Sequence, residues 1–276
     1  MKLQIPATSA NIGPGFDVAG LALGLYQYLE VNLADKTNLG PDHLVYVAYE
    51  RAFAYRGQDP KPASFNYYGD IPRSRGLGSS AACIVAGLVA ANELGSLNLS
   101  QDQLLNLATE IEGHPDNVAP ALLGGLVYSM VDEVVYSKKV PVHSSLLFTL
   151  CIPETEFSTE KARGLLPKKL EMKDAVCNLS HLPFLIQALE EGDFDLLKLA
   201  SKDCLHEPYR GPYIPYFLDL KKALEKKACV HISGAGSTSL LISKVPLKEE
   251  LEDLTKGEAK ILQVTIDQEG VKKIDH

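Results

Sequence analysis

An α+β fold of two fused lobes is what this chain predicts. Its strands and helices are interspersed without the regular strand–helix–strand alternation of a doubly wound sheet. With 276 residues, 46% of them apolar, it can bury one substantial core or two modest ones. The pattern changes between 140 and 155, so the lobes are expected at 1–150 and 151–276.

The opening Leu3-Gln4-Ile5 alternates as a strand does, then meets Pro6 and a polar, Gly- and Pro-rich segment, Ala7 to Asp17, with neither helical nor strand period. An ordered loop is expected there. An apolar run, Val18 to Leu25, leads into the strand-like Tyr26 to Leu33, and residues 43–55 read as a helix. An extended stretch from Asn66 to Pro72 precedes a Gly-Ser turn and a helix over 79–94. Ser100 and Gln103 have the spacing of a capping box for the helix that runs to Glu112, where Gly113-His114-Pro115 interrupts it. After Pro120 the residues turn from helix-like to strand-like, and 144–152 is a strand. Helices are expected at 158–166, 174–190, 193–204, 213–227 and 248–253, with strands at 229–233, 238–243 and 259–265.

A formal charge of −8 argues against a nucleic-acid surface. The N-terminus has no signal-peptide core and no segment offers the roughly 18 apolar residues of a membrane span, so a cytoplasmic protein is expected. Five cysteines, Cys83, Cys151, Cys177, Cys204 and Cys229, are spread singly and read as small apolar fillers, with no zinc or disulfide pattern.

Three clusters can carry chemistry. The first is Pro72-Arg73-Ser74-Arg75-Gly76-Leu77-Gly78-Ser79-Ser80-Ala81, a glycine turn that opens a helix. Unpaired N–H groups and the helix dipole make such a turn an anion cradle, with a nucleotide phosphate its natural guest. It fits neither GxxxxGK[ST] nor GxGxxG. The second is Glu110-Ile111-Glu112-Gly113-His114-Pro115-Asp116-Asn117, which holds the residue types that phosphoryl transfer needs to ligate a cation and orient a hydroxyl. Residues two apart on a helix point about 200° apart, so at most one of Glu110 and Glu112 faces a shared site. The third is Ser233-Gly234-Ala235-Gly236-Ser237-Thr238-Ser239, a turn between strands that is either a plain hairpin or a backbone shelf beside a ligand. By context alone Arg163 and Arg210 read as surface arginines, though an arginine in a Pro- and Tyr-rich loop can fork onto a carboxylate.

Taken in order, Pro6 to Asp17, Pro72 to Ala82 and Ser233 to Ser239 resemble the GHMP small-molecule kinases. Within that superfamily, Ser9-Ala10-Asn11-Ile12-Gly13-Pro14-Gly15-Phe16-Asp17 together with His114-Pro115-Asp116-Asn117-Val118-Ala119-Pro120 is most similar to the homoserine kinases, although Ser237 stands where a proline is usual. The resemblance implies an N-terminal lobe like ribosomal protein S5 domain 2 that binds ATP, a ferredoxin-like C-terminal lobe, and a homodimer. It implies transfer of the γ-phosphoryl group of ATP, with Mg²⁺, to the side-chain hydroxyl of L-homoserine on the way to threonine. ATP would meet Pro72, Arg73, Arg75, Gly76, Leu77, Gly78, Ser79, Ser80 and Ala81, with Asn38 near the base, and Ser80 and Glu110 would hold Mg²⁺. Homoserine would meet Asn11, Asp17, His114, Asn117, Arg163, Arg210 and Gly234. Asp17 would take its ammonium, the two arginines its carboxylate, and Asn11 or Asn117 its hydroxyl. Ser80, Glu110, His114 and Asn117 form the implied catalytic set. An asparagine at 117 cannot accept a proton, so positioning and charge stabilisation would carry the step, with Asp116 a base only if its loop turns it inward.

Overall fold

In the computed structural model, which describes residues 1–274, the opening alternation becomes strand β1 (Lys2–Ala10), with Leu3, Ile5 and Ala7 buried. The whole of Ala7 to Ala10, read as loop from its sequence, is strand. Its apolar period is broken because Thr8 and Ser9 are polar, yet both are fully buried and hydrogen-bonded to distant residues. β1 pairs antiparallel with β2 (Ala19–Leu33), which merges the expected apolar run and strand into one element. The far edge of β2 is shared. Residues 27–33 take β3 (Ala63–Gly69), and residues 19–21 take β4 (Leu126–Val131), which pairs with β5 (Val135–Val140).

A second antiparallel sheet is built from β6 (Leu147–Pro153), β7 (Ala228–Ile232), β8 (Ser239–Ser243) and β9 (Ala259–Val264), in the order β7-β8-β6-β9. The last described strand, β10 (Lys272–Ile274), returns to the first sheet and pairs with the start of β1. A division at residue 150 therefore falls inside β6, and the end of the chain crosses back. Backbone pairing over more than two hundred residues set this boundary, and local composition does not report it.

Four helices accompany the first sheet: α1 (Leu44–Tyr55), α2 (Ser79–Gly95), α3 (Gln101–Glu112) and α4 (Pro115–Leu123). The small side chains Ala81, Ala82, Ala86, Ala90 and Ala91 leave α2 apolar over most of its circumference, and it is buried between its neighbours. The capping box at the start of α3 forms as expected, from Ser100 and Gln103. Gly113 stops α3 in a left-handed conformation, and Pro115 starts α4, its missing N–H costing nothing in the first turn. The second sheet carries α5 (Thr159–Gly164), α6 (Met172–Glu191), α7 (Phe194–Ala200), the single-turn α8 (Glu207–Arg210), α9 (Phe217–Ala223) and α10 (Lys248–Leu254). β5, α8 and β10 lacked a sequence signal.

Alternation along β6 and β8 splits the second sheet's side chains between two cores. Leu150, Leu240 and Ile242 join a core continuous with the first lobe, whereas Cys151 and Leu241 face a smaller one with Ile214, Phe217 and Leu251. The lobes thus share a core, which fixes the cleft between them. Among the described residues no helix is long and apolar enough to cross a membrane.

Candidate active site

The turn before α2 is locked by what its carbonyls touch. Thr238 N–H donates to Arg75 O (3.2 Å), the Ser233 hydroxyl to Gly76 O (2.7 Å) and Thr8 N–H to Leu77 O (3.2 Å). Gly76 and Gly78 have φ of +71° and +68°; a Cβ would lie 2.0 Å from Ser233 O at the first and 1.9 Å from Thr8 Oγ1 at the second. No other residue fits these positions. Gly234 N–H reaches Ala10 O at 2.8 Å, and the Asn11 amide donates to Gly234 O at 3.0 Å. The first and third clusters therefore meet each other and the Thr8–Asn11 segment.

Between the lobes lies a cleft of about 450 Å³. Along one wall it is lined by Pro72 to Ser80, Glu112, His114 and Asn117, and along the other by Arg163, Arg210 and Gly234. The first N–H groups of α2 have no intrahelical partner, and Gly78 supplies no side-chain cap, so the helix start is open to an anion. Ala81 is fully buried and can contribute only its N–H. Arg75 holds the opposite lobe, donating to Pro153 O (3.1 Å) and Glu154 O and pairing with Glu156. Arg73 is exposed at the mouth and forms no ion pair among the described residues.

Two expected positions lie elsewhere. Glu110 points to solvent and pairs with Arg51 at 2.7 Å; Glu112, on the other side of the last turn of α3, accepts from Ser80 Oγ at 2.7 Å and lines the cleft. The helix geometry allowed only one of the two to face the site, and it is Glu112. Burial pushes its carboxyl pKa up, against the Ser80 hydrogen bond and the nearby His114. Asn38 is exposed and clasps Phe65 N and O, and Asp42, His43 and Leu44 line the cleft in its place. The signal for these was their place just ahead of α1, where His43 accepts from Val45 N–H.

His114 Nδ1 lies 2.5 Å from Asp116 Oδ1. Burial disfavours the charged imidazole, but the hydrogen bond and charge of Asp116 outweigh it, and the pKa is raised. Asp116 is buried, faces His114 and does not line the cleft, so it is not turned inward as a base. Asn117 accepts from Thr8 Oγ1 at 2.8 Å. Donor atoms of Asp17, His114 and Asp116 come within 4.8 Å of one another, but the Asp17 carboxylate is already taken by Arg163 through two bonds of 2.8 and 3.1 Å. Arg210 is 1% exposed, donates to Ala162 O and Gly234 O, and has no carboxylate partner among the described residues. Burial and the neighbouring Arg163 push its pKa down to about 10, which leaves it charged at neutral pH. Both guanidinium groups flank the ring of Phe16, at 5.8 and 5.1 Å. The cleft thus has an anion cradle with hard oxygen donors at one end and a buried, unpaired cation at the other.

A family model for the GHMP kinases N terminal domain matches residues 43–125. The homoserine kinase of Clostridium botulinum (strain ATCC 19397 / Type A) is 44% identical over 271 residues, covering 93% of this chain and 89% of its own length. The crystal structure of homoserine kinase from Cytophaga hutchinsonii ATCC 33406 aligns with a TM-score of 0.88 at 30% identity, over 99% of this chain and 96% of that one. Phosphomevalonate kinase of Streptococcus pneumoniae, 18% identical with a TM-score of 0.76 over 96% and 99% of the two chains, shares the fold.

The His114–Asp116 contact is open to a direct check by NMR. The His114 imidazole is expected to titrate above the ordinary histidine value, and Asp116→Asn to bring its midpoint down. The protonated pair stabilises the fold below the ordinary value, and that contribution is lost as pH rises through the elevated midpoint. A midpoint indifferent to Asp116→Asn contradicts the assignment.

Proposed function

Because the chain belongs to the homoserine kinase family of the GHMP kinases, we infer that its cleft takes MgATP at the α2 end and L-homoserine at the Arg210 end, and phosphorylates the substrate's side-chain hydroxyl. One observation carries the choice of substrate end. Arg210 is a buried guanidinium that lines the cleft and has no carboxylate partner among the described residues, a site that costs several kcal/mol unless an anion arrives. The carboxylate of an amino acid supplies that anion, and Asp17 nearby offers an acceptor for its ammonium once Arg163 shares or releases it.

The residues present fit a magnesium ion. Ser80 Oγ and Glu112 Oε2 are hard oxygen donors held 2.7 Å apart at the start of α2, the donor chemistry magnesium takes. Bound there, Mg²⁺ would draw charge from the phosphate oxygens. The Gly76–Ser80 turn holds phosphates through its N–H groups, with Arg73 at the mouth and Arg75 keeping the opposite lobe in place. Asn11 and Asn117 orient the homoserine hydroxyl, and Gly234 offers backbone beside the substrate. His114, whose imidazole Asp116 shifts toward its charged form, lines the cleft where positive charge would meet the transferred group. Asn117 cannot take the hydroxyl proton; a loose transition state needs no base, and the proton passes to an oxygen of the transferred phosphoryl group. On this reading the first lobe is the ATP-binding lobe, the second is ferredoxin-like and closes the substrate end, and the enzyme works as a cytoplasmic homodimer, which sedimentation tests.

The decisive assay is ADP release with MgATP against L-homoserine, L-serine, L-threonine, mevalonate, shikimate and galactose. Turnover well above the rest with homoserine is expected; a non-amino-acid alcohol as best substrate overturns the roles of Asp17 and Arg210. Glu112→Gln should lower kcat about 100-fold or more and raise the Mg²⁺ requirement, while Glu110→Gln stays within about twofold of wild type, as surface ion pairs do. Arg210→Leu should raise the KM for homoserine roughly 100-fold and leave the KM for ATP nearly unchanged. Equal effects on both constants contradict the carboxylate role.

A further inference from the structure

Sequence spacing gave no reason to pair any cysteines, yet the fold brings two of them together. Cys177 lies on α6 and Cys204 in the segment between α7 and α8, and their Sγ atoms are 2.6 Å apart. Sulfurs in contact are the arrangement from which a disulfide forms. Both thiols are partly exposed and within reach of an oxidant; Cys151 and Cys229 are buried, and the Cys83 thiol is pushed up by its own burial.

The surroundings tie this pair to the substrate end of the cleft. Cys204 N–H donates to Asn178 Oδ1 (2.9 Å), and the Asn178 amide donates to Asp203 Oδ1 (2.6 Å) and to Pro14 O (3.2 Å). Asp203 Oδ2 in turn accepts from His206 N–H and Glu207 N–H at 2.9 and 2.7 Å. It thereby fixes the start of α8, whose last residue is Arg210. His206 Nε2 donates to Gly13 O at 3.1 Å, on the same loop as Asp17.

We propose that Cys177 and Cys204 form a reversible disulfide that staples α6 to the segment launching α8, and that closing it stiffens the seat of Arg210. The effect on homoserine rests on the function inferred above; the bond itself does not. With a small-molecule disulfide such as oxidised glutathione, the Cys177 thiolate attacks one sulfur, the external S–S bond breaks, and one glutathione thiolate leaves. The Cys204 sulfur then attacks Cys177 Sγ of the mixed disulfide and expels the second. Two protein thiols are oxidised, one external disulfide is reduced, and the two released protons go to the leaving thiolates. Burial and the neighbouring Cys177 push the Cys204 thiol up to about 11.

The test treats native full-length protein with oxidised glutathione, blocks remaining thiols by alkylation, and maps the peptides by mass. The expected product is one Cys177–Cys204 linked peptide, with two of the five thiols lost and both restored by dithiothreitol. The link closes a loop between residues 27 apart, and Tm should rise by roughly 5–10 °C. That rise should be absent in Cys177→Ser and in Cys204→Ser. The KM for homoserine should fall roughly threefold through pre-organisation, with the KM for ATP unmoved. Both cysteines alkylated, or each capped separately by glutathione, overturns the proposal. A mapped bond with an unchanged KM for homoserine overturns its link to Arg210, and a mapped bond in a protein inactive on homoserine places the failure in the functional reading.

Discussion

The hydroxyl of Ser233 donates to the carbonyl of Gly76 and sits 2.8 Å from Ser9 Oγ, so that one buried side chain joins β1, the turn before α2 and the turn between β7 and β8. Thr8 N–H and Thr238 N–H complete the clamp on the same turn. The bonds from Ser233 Oγ, Thr8 N–H and Thr238 N–H take up the carbonyls of residues 75–77, and the consequence is directional. With its acceptors facing protein, the turn offers its free N–H donors at the start of α2 to the cleft. Buried hydrogen bonds of this kind are costly to break singly, because each leaves an unsatisfied group behind. The glycines at 76 and 78 are the condition for the clamp, since any side chain there would collide with Ser233 O or Thr8 Oγ1.

Charge in the cleft is arranged around the same clamp. Asn11, held by its bond to Gly234 O, accepts from Asp17 N–H and so sets the direction of the Asp17 carboxylate. Gly234 O also accepts from Arg210, so the backbone shelf that closes the third cluster also seats the buried cation. Asp17 and Arg163 neutralise each other across the lobes, whereas Arg210 has no acid partner among the described residues, and Glu112 opposite is a carboxyl raised by burial. A zwitterion at one end and a divalent cation at the other would balance both deficits. On the proposed function, binding of each ligand would be an electrostatic completion of a pre-formed frame.

Much of this was legible in the residues. The start of α2, the capping box at Ser100, the break at Gly113 to Pro115 and the two-sided Glu110 and Glu112 alternative all follow from local rules of helix geometry. What local rules could not decide was which glutamate faces inward, because that depends on Arg51 reaching Glu110 from another helix. The strand character of Ala7 to Ala10 was hidden because Thr8 and Ser9 point into a polar junction instead of an apolar core. Asn38 looked available for a ligand but is used to close its own loop onto β3. Arg210 read as a surface residue from local context alone, while the resemblance placed it at the substrate, and it is buried in the cleft wall; the contact of Cys177 with Cys204 arises from the packing of α6 against a distant segment. Each miss is a tertiary contact overriding a local pattern.

The most direct test of the account is a crystal structure of the protein with a non-hydrolysable ATP analogue, Mg²⁺ and L-homoserine. It should show phosphates on the first N–H groups of α2, the metal on Ser80 and Glu112, the homoserine carboxylate on Arg210 and its ammonium on Asp17, with Glu110 still on Arg51. A metal held by Glu110, or homoserine bound away from Arg210, would contradict it.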